Sequence, residues 1–541
     1  MNFSIVSNNL LNDGELITNF VPRIRGLYSA EPEEPLRLLL EVTREGAPPQ
    51  TIVWPAEQLD RLNLEKLIPG CISRDARGRS TRNLVATYLR MQLSQCDLPR
   101  GQYFDKTGWQ QIDGQHRYFP NPALANQLAE PPVDGSPPYL IAKETSSYHL
   151  SVDPTMSAET AVEQLIETFL PNLQVYLSVW AYALFSVCRS FLQDSGLPTA
   201  CILYLIATQG FGKTATAKAL CQLFDDASGC MADVYDAGST MSAMERALMT
   251  TRDRSVLLDD IYIGTNKAKQ RERLASAAAL LRFAANETKR TKTRGSKNIS
   301  VSCAAGLVVT GEIPMEASSD VTRCIIVHIR KKLGGSSNPV DLEALRHTAA
   351  TAMQGFLAWF GERYEEFRSR IKIEMESQLA AVKSAPNERV KTSLFELYWL
   401  LCRFFDYAEE VGSIPAVAKN KFVQAAVYSL TQVWHNITEE LRRIENRPKT
   451  LQEAIVSGVR QRKFSAFQHK GCLCVKIPAL TKYLQELYHR SDLSEQYVAA
   501  LLRQNNLLSI DASGKATKKI MRKRYLCIPL SCLQAVAASS V

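Results

Sequence analysis

Residues 201–220 read Cys201-Ile-Leu-Tyr-Leu-Ile-Ala-Thr-Gln-Gly-Phe-Gly-Lys-Thr-Ala-Thr-Ala-Lys-Ala-Leu220, an apolar run, a glycine-containing loop and a run of helix formers. The apolar run predicts a buried strand, and the residues after Gly212 predict a helix that begins there. Small loop residues let backbone N–H groups approach an anion, and the helix N-terminus adds positive potential. This order is typical of a phosphate-binding loop.

Gly212-Lys213-Thr214 matches the end of the pattern G-x4-G-K-[ST], although Ala207 stands where the pattern has its first glycine. We expect Lys213 to reach the β- and γ-phosphates of ATP and the Thr214 hydroxyl to ligate Mg²⁺. A GK[ST] triplet alone occurs by chance about 0.3 times in such a chain, so further support is needed. The predicted nucleotide contacts are Thr208, Gln209, Gly210, Phe211, Gly212, Lys213, Thr214 and Ala215.

Two adjacent carboxylates end the next apolar run, Ser255-Val-Leu-Leu-Asp-Asp260. Asp259 suits the Mg²⁺ shell, and Asp260 is placed to polarise the attacking water. Taken alone, the two acids fit an ordinary turn at the end of a strand equally well. Their position after Lys213 favours the catalytic interpretation.

A third apolar run, Ala305-Gly-Leu-Val-Val-Thr310, ends in a polar residue that is placed to contact the γ-phosphate or the water. A fourth, Cys-Ile-Ile-Val-His-Ile, follows Arg323. Thr310 alone fits a plain strand terminus, but four such runs in this order indicate a P-loop ATPase. Short buried strands that alternate with helices also predict a parallel α/β sheet.

The rest of the chain predicts several further domains, as expected for 541 residues. Their predicted bounds are a strand-rich N-terminal domain at 1–128, a Pro-rich linker at 129–156, a helical subdomain at 157–197, the P-loop ATPase core at 198–332, a helical lid at 333–448 and a winged-helix-like module at 449–541.

From these residues, the chain resembles the AAA+-like helicase ATPases of phages, plasmids and integrative elements, which are often linked to primases. The resemblance covers about residues 100–330. Its motifs are Thr107-Gly-Trp109, the loop at 207–214, Thr240-x4-Glu245, Leu258-Asp-Asp-Ile261, the segment from Leu281 to Asn286, and Val309-Thr-Gly-Glu312.

The resemblance implies that Lys213, Thr214, Asp259 and Asp260 hydrolyse ATP with Mg²⁺, and that Thr310 acts as a sensor. It also implies a homo-oligomeric ring in which Arg323 acts across a subunit interface; the alternative for Arg323 is a structural salt bridge. Asp260 departs from the family, since many members carry Glu there. No primase module is recognisable, so a separate primase would supply primers.

The net charge of +9 is concentrated in two segments. Residues 288–298 carry five positive charges and residues 515–524 carry six, which leaves −2 for the rest. In ring-forming members of the family the first position holds a pore hairpin, so we expect phosphate contacts there; a solvated loop is the alternative. The expected DNA contacts are Lys289, Arg290, Lys292, Arg294 and Lys297 in the first segment and Lys518, Lys519, Arg522, Lys523 and Arg524 in the second.

The second basic segment lies in a helix–helix–strand–loop–strand order, from Thr481 to Pro529, that predicts a winged helix. A protein-docking domain with a solvated basic loop is the alternative. Nearby, Cys472 and Cys474 alternate as in a strand and lack the usual spacing of zinc ligands, so we predict no metal there.

Composition excludes two broad classes of protein. With 45% hydrophobic and 22% charged residues, the chain is neither mainly disordered nor a polytopic membrane protein. The uncharged run from Thr168 to Cys188 is interrupted by polar residues and Pro171, which favours a buried helix. Scattered cysteines and the missing signal peptide predict the bacterial cytoplasm.

Together these features predict an ATP-driven DNA translocase or helicase that acts on single-stranded or forked DNA in the replication of a mobile genetic element. A DNA-binding ATPase switch that loads or remodels a partner without unwinding is the alternative.

Overall fold

A computed structural model describes most of the chain, in two compact units. The first holds most of residues 2–436 and the second most of residues 437–541. The residues outside the description are 1, 30–35, 105, 113, 120–139, 142–147, 237, 262–276, 286–289, 295–296, 302, 313–314, 316, 334–340, 382–386, 447, 449, 488–492, 511–516, 521–522 and 538–541. The side chains of 140–141, 261, 290–301, 380–381 and 534–537 are also outside it.

Strands dominate the N-terminal part of the first unit. A small antiparallel sheet consists of β1 (Phe3–Val6), β2 (Asn9–Asn12) and β3 (Glu15–Thr18). A larger sheet, in the order β10–β7–β4–β5–β6, consists of β4 (Phe20–Ser29), β5 (Arg37–Arg44), β6 (Ala47–Pro55), β7 (Arg100–Phe104) and β10 (Leu140–Ile141). A 3₁₀ turn (Ala56–Arg61) and helices α1 (Leu64–Leu67) and α2 (Arg82–Gln95) join β6 to β7. Alternate residues of β5 are buried against α2, which gives this part its own core.

A β-hairpin, β8 (Gly108–Ile112) and β9 (Gln115–Phe119), is fixed to the rest of the unit through Asp253. The fully buried Asp253 carboxylate accepts hydrogen bonds from the Ser190 N–H (2.7 Å) and the Trp109 N–H (3.2 Å). The Tyr118 hydroxyl donates to the Asp253 carbonyl oxygen. Burial raises the pKa of the Asp253 carboxyl, although nearby Arg252 acts to lower it.

The region predicted to be a helical subdomain contains three helices, and its assignment as a separate subdomain stays a prediction. The Pro-rich passage before it lies largely on residues that the structure does not describe. A short strand, β11 (His149–Leu150), precedes α3 (Ala158–Phe169), a 3₁₀ turn (Leu170–Asn172), α4 (Leu173–Val187) and α5 (Arg189–Asp194). Every residue of α4 from Tyr176 onward is buried, which explains its uncharged composition. Among the described residues, no helix combines the length and apolarity that crossing a membrane requires.

Five parallel strands form the central sheet, in the order β14–β15–β18–β12–β19. The elements of this region, in chain order, are β12 (Ile202–Ile206), α6 (Lys213–Cys221), β13 (Phe224–Asp225), β14 (Val234–Asp236), α7 (Met241–Thr250), β15 (Ser255–Ile261), α8 at 277–285, β16 (Arg290–Arg294), β17 (Lys297–Val301), β18 (Gly306–Gly311) and β19 (Cys324–His328). The predicted parallel α/β sheet is thus confirmed.

Long helices complete the first unit around an aromatic core. They are α10 (Leu342–Glu362), α11 (Tyr364–Ala381), α12 (Glu388–Glu410) and the part of α13 (Ala416–Glu445) up to Asn436. The short α9 (Ser318–Val321) and the end of α13 belong to the second unit. Phe356, Phe360 and Phe404 are fully buried, and the Phe356 ring lies 5.5 Å from that of Phe360. The aromatic stripe of α10 is therefore part of the core.

The second unit contains a four-stranded sheet in the order β20–β21–β23–β22 and several short helices. They are α14 (Leu451–Arg460), β20 (Ala466–His469), β21 (Cys472–Val475), α15 (Ile477–Leu487), α16 (Glu495–Gln504), β22 (Thr517–Ile520), β23 (Lys523–Pro529) and α17 (Leu530–Ala537). Apolar residues from the helices and from β21 and β23 share one core. The two helices α15 and α16 lie where the sequence predicts them. Residues 507–510, where the sequence predicts a strand, form none, and β22 lies instead within the basic segment for which the sequence predicts a loop. The winged-helix assignment stays a prediction.

Candidate functional site

The strand order brings the glycine loop, the two acids and Thr310 to one edge of the central sheet. β18 lies between β12 and β15, and all three strands run parallel. The carboxyl ends of parallel strands meet at the same edge, where ligands of α/β proteins bind. The loop follows β12, and Thr310 lies near the end of β18.

The loop takes its shape from two glycines in the left-handed region, Gly210 (φ +81°) and Gly212 (φ +91°). Gly212 also caps the N-terminus of α6, so Lys213 is the first helical residue. A side chain at either position would be strained, since only glycine adopts this conformation at low cost.

Ala207 does not disturb the loop, although the usual pattern has glycine there. Its N–H donates to the Gly311 carbonyl (3.2 Å), which continues the pairing of β12 with β18. It has no positive φ, so the position does not require glycine.

Asp259 lies at the centre of a hydrogen-bonded cluster. Its Oδ1 accepts from the hydroxyls of Thr214 and Thr310, each at 2.7 Å. Lys218 Nζ lies 3.9 Å from its Oδ2. A carboxylate beside a hydroxyl supplies the hard oxygen ligands that Mg²⁺ prefers, so Asp259 and Thr214 fit the predicted metal site.

Asp260 is held in an uncommon backbone conformation, with φ +53°. Its N–H donates to the Thr310 hydroxyl (2.8 Å), and the pairing of β15 with β18 shifts between Leu258 and Ile261. Its Oδ1 is buried and has no hydrogen-bond partner among the described residues. A non-glycine residue at positive φ costs about 1 kcal/mol or more, and such strain concentrates at functional sites.

Lys213 lies beside two carboxylates in a mostly buried position. Its Nζ is 3.7 Å from Asp260 Oδ1 and 3.5 Å from Glu312 Oε1. Glu312 ends the Val309-Thr-Gly-Glu312 motif, but the sequence does not predict it as a site residue. The available signal was its position two residues after Thr310, at the same edge of the sheet.

Arg323 lies at the opposite edge of the sheet. It immediately precedes β19, and its carbonyl oxygen accepts from the Ile202 N–H (3.0 Å) at the start of β12. Lys213 and the paired acids lie beyond the other ends of these parallel strands. Arg323 is therefore placed away from the site of its own chain.

A cleft of about 440 Å³, which the sequence does not predict, lies close to the loop. Its walls come from residues 170–178, from residues 327–333 at and after the end of β19, and from residues 429–436 of α13. Leu333 connects it to the loop, because the Leu333 N–H donates to the Phe211 carbonyl (3.2 Å). The volume lies in the range of small-ligand pockets.

The first basic segment contains an antiparallel hairpin, in which β16 pairs with β17 from Arg290–Val301 to Arg294–Lys297. The backbone of Lys292 also lies in it, whereas Lys289 and all side chains of the hairpin are outside the description. Whether these residues contact DNA stays a prediction.

The second basic segment contains β22 and β23, which pair Lys519 with Arg524 and Ile520 with Lys523. Lys518, Lys519, Lys523 and Arg524 are exposed, and Arg522 is outside the description. Among the described residues, no cluster of three or more His, Cys, Asp or Glu side chains is arranged to hold a metal ion.

No family model and no curated protein sequence matches the chain. Solved structures do. The chain is similar to SCCmec type IV Cch, an active helicase, with a TM-score of 0.55 and 14% identity over 98% of both chains. A JCV helicase also matches, with a TM-score of 0.20 and 14% identity over 53% of this chain and 74% of that one, a likeness too low to carry an argument. The first likeness shows a common fold along nearly the whole chain.

Proposed function

We propose that this chain is an ATP-hydrolysing DNA translocase, a helicase that serves the replication of a mobile genetic element. The observation that carries the proposal is the cluster of Thr214, Asp259, Thr310 and Asp260 beside Lys213. The fold shared with an active helicase supports the same activity.

In the proposed site, the loop from Thr208 to Ala215 binds the phosphates of ATP, and the 440 Å³ cleft accepts the base and ribose. Thr214 and Asp259 would hold Mg²⁺, which offsets the phosphate charge when bound. Asp260 orients and polarises the attacking water, and Thr310 fixes both acids. Arg323, at the opposite edge of the sheet, would act in the site of the neighbouring subunit of a ring.

Sequence-independent phosphate contacts would hold the DNA. We assign them to the hairpin residues Lys289, Arg290, Lys292, Arg294 and Lys297, and to Lys518, Lys519, Arg522, Lys523 and Arg524 on a winged helix. Cyclic changes at the ATP site would move the hairpins in the pore, and a separate primase would supply primers.

ATP hydrolysis and strand displacement test the proposal on the purified protein. Lys213→Ala removes the cation that contacts the β- and γ-phosphates, so we expect turnover to fall at least about a hundredfold. The matched control is Lys372→Ala, an exposed lysine of α11, which should retain the wild-type rate. Turnover by Lys213→Ala at the wild-type rate would refute the site.

A strand-displacement assay on a forked duplex distinguishes the helicase hypothesis from the alternative, an ATPase switch. Arg294→Ala and Lys297→Ala should displace strands more slowly while ATP turnover without DNA stays near the wild-type rate, because only DNA contacts are lost. If DNA stimulates turnover and the wild type displaces no strand, the switch that loads or remodels a partner is correct instead.

A further inference from the structure

Two carboxylates, those of Asp260 and Glu312, lie close to the ammonium group of Lys213. The side chain is 8% exposed, and its Nζ faces both Glu312 and Asp260 at less than 4 Å. A mostly buried ammonium needs a compensating charge, and here two carboxylates provide it.

Glu312 differs from Asp259 and Asp260 in its hydrogen-bond and ion-pair partners. Asp259 is engaged by two hydroxyls, and the backbone of Asp260 is fixed by Thr310. Glu312, by contrast, has no ion-pair partner other than Lys213 among the described residues. We therefore expect any role of Glu312 in the site to act through its ion pair with Lys213.

The backbone before Glu312 is held closely enough to fix this contact. A Cβ at Gly311 would lie 2.6 Å from the Tyr204 hydroxyl, so β18 packs tightly against β12 at this point. Glu312 is itself 28% exposed at the side chain, which leaves it room to move when a ligand arrives.

We propose that Glu312 competes with the nucleotide for Lys213 and so lowers the affinity of the site for the β-phosphate. The inference rests on the proposed function, because it assumes that this site binds ATP and ADP. Lys213 must leave Glu312 to contact the phosphates, and the released carboxylate then remains beside a polyanion. Both effects weaken binding and favour release of ADP.

Titration of ADP against wild type and Glu312→Gln, in the presence of Mg²⁺, tests the proposal without any turnover. The variant keeps the shape of the side chain and removes its charge, so we expect ADP to bind about fivefold more tightly. Glu163→Gln, an exposed glutamate of α3, is the matched control and should bind as the wild type does. Unchanged ADP affinity of Glu312→Gln would overturn the proposal. Weaker binding would also overturn it, because it would mean that Glu312 positions Lys213 for phosphate binding.

Glu312→Asp separates the contact from the charge alone. It keeps the negative charge but is one methylene shorter, so it withdraws from Lys213. We expect ADP to bind this variant more tightly than the wild type but less tightly than Glu312→Gln, because the contact is lost and the charge remains; binding at the wild-type affinity would overturn the role of the contact. A wild type that binds no ADP would instead refute the nucleotide site itself, which distinguishes failure of the proposed function from failure of this inference.

Discussion

Thr310 connects the two acids of the candidate site through one hydroxyl group. The hydroxyl donates to Asp259 and accepts from the N–H of Asp260. From the sequence we expect Thr310 to contact the γ-phosphate or the attacking water; its hydrogen bonds to both acids are not predicted by the sequence. Thr310 thus orients the proposed metal ligand and the proposed catalytic carboxylate together.

At Asp260, we predict that Asp260→Asn abolishes turnover while the site still binds nucleotide. Asn has the same shape and tolerates the left-handed conformation, so the φ of +53° does not oppose the change. Loss of the carboxylate should lower turnover by about a hundredfold or more, as for other general bases. Steady-state ATP hydrolysis and ADP titration check this, and turnover near the wild-type rate would mean that another group polarises the water.

Among the elements, the β8–β9 hairpin depends on close packing at Gly108. A Cβ there would lie 2.1 Å from Asp253 Oδ2, and Gly108 also has a φ of +98°. The Trp109 indole N–H donates to the Val187 carbonyl (2.9 Å), which holds the hairpin against α4. Gly108 therefore allows the hairpin to reach the fully buried Asp253.

We predict that Gly108→Ala lowers the free energy of unfolding by about 2 kcal/mol or more, because it adds a steric clash to backbone strain. Gly114→Ala is the matched control: Gly114 has a φ of +76°, and apart from its chain neighbours no described residue lies within 4 Å of its Cβ position, so only the strain applies. Thermal unfolding of the two variants measures the difference. Equal loss of stability in both would show that the contact with Asp253 is not tight.

For the molecule as a whole, we predict that Arg323 acts in the site of a neighbouring copy. Lys213→Ala and Arg323→Ala should each lose turnover, and an equal mixture should recover roughly a quarter of the wild-type rate in a ring of randomly mixed subunits. The physical reason is that a site formed by an intact Lys213 and a neighbour's intact Arg323 arises only in the mixture. ATP hydrolysis by the mixture measures it; no recovery would favour the structural salt bridge.

Local patterns predicted the fold and much of the candidate site. The apolar runs that end in Asp259, Asp260 and Thr310 predict buried strands with candidate catalytic residues at their carboxyl ends. Parallel pairing of the strands then places these residues at one edge of the sheet. The contact of Glu312 with Lys213 could not be predicted, because it depends on how two strand ends approach each other. The 440 Å³ cleft was missed for a similar reason, since three segments distant in the chain form its walls.

The hydrogen bonds of Thr310 have a mechanical consequence. Because the Thr310 hydroxyl is hydrogen-bonded to both Asp259 and Asp260, a displacement of β18 would move the two acids together. The β16–β17 hairpin ends at Val301 and β18 begins at Gly306, so only a few residues connect the hairpin to the strand that carries Thr310. If the hairpin binds DNA and the site binds ATP, as proposed, a force on the hairpin would reach both acids through this short segment, and β18 would couple DNA binding to ATP hydrolysis.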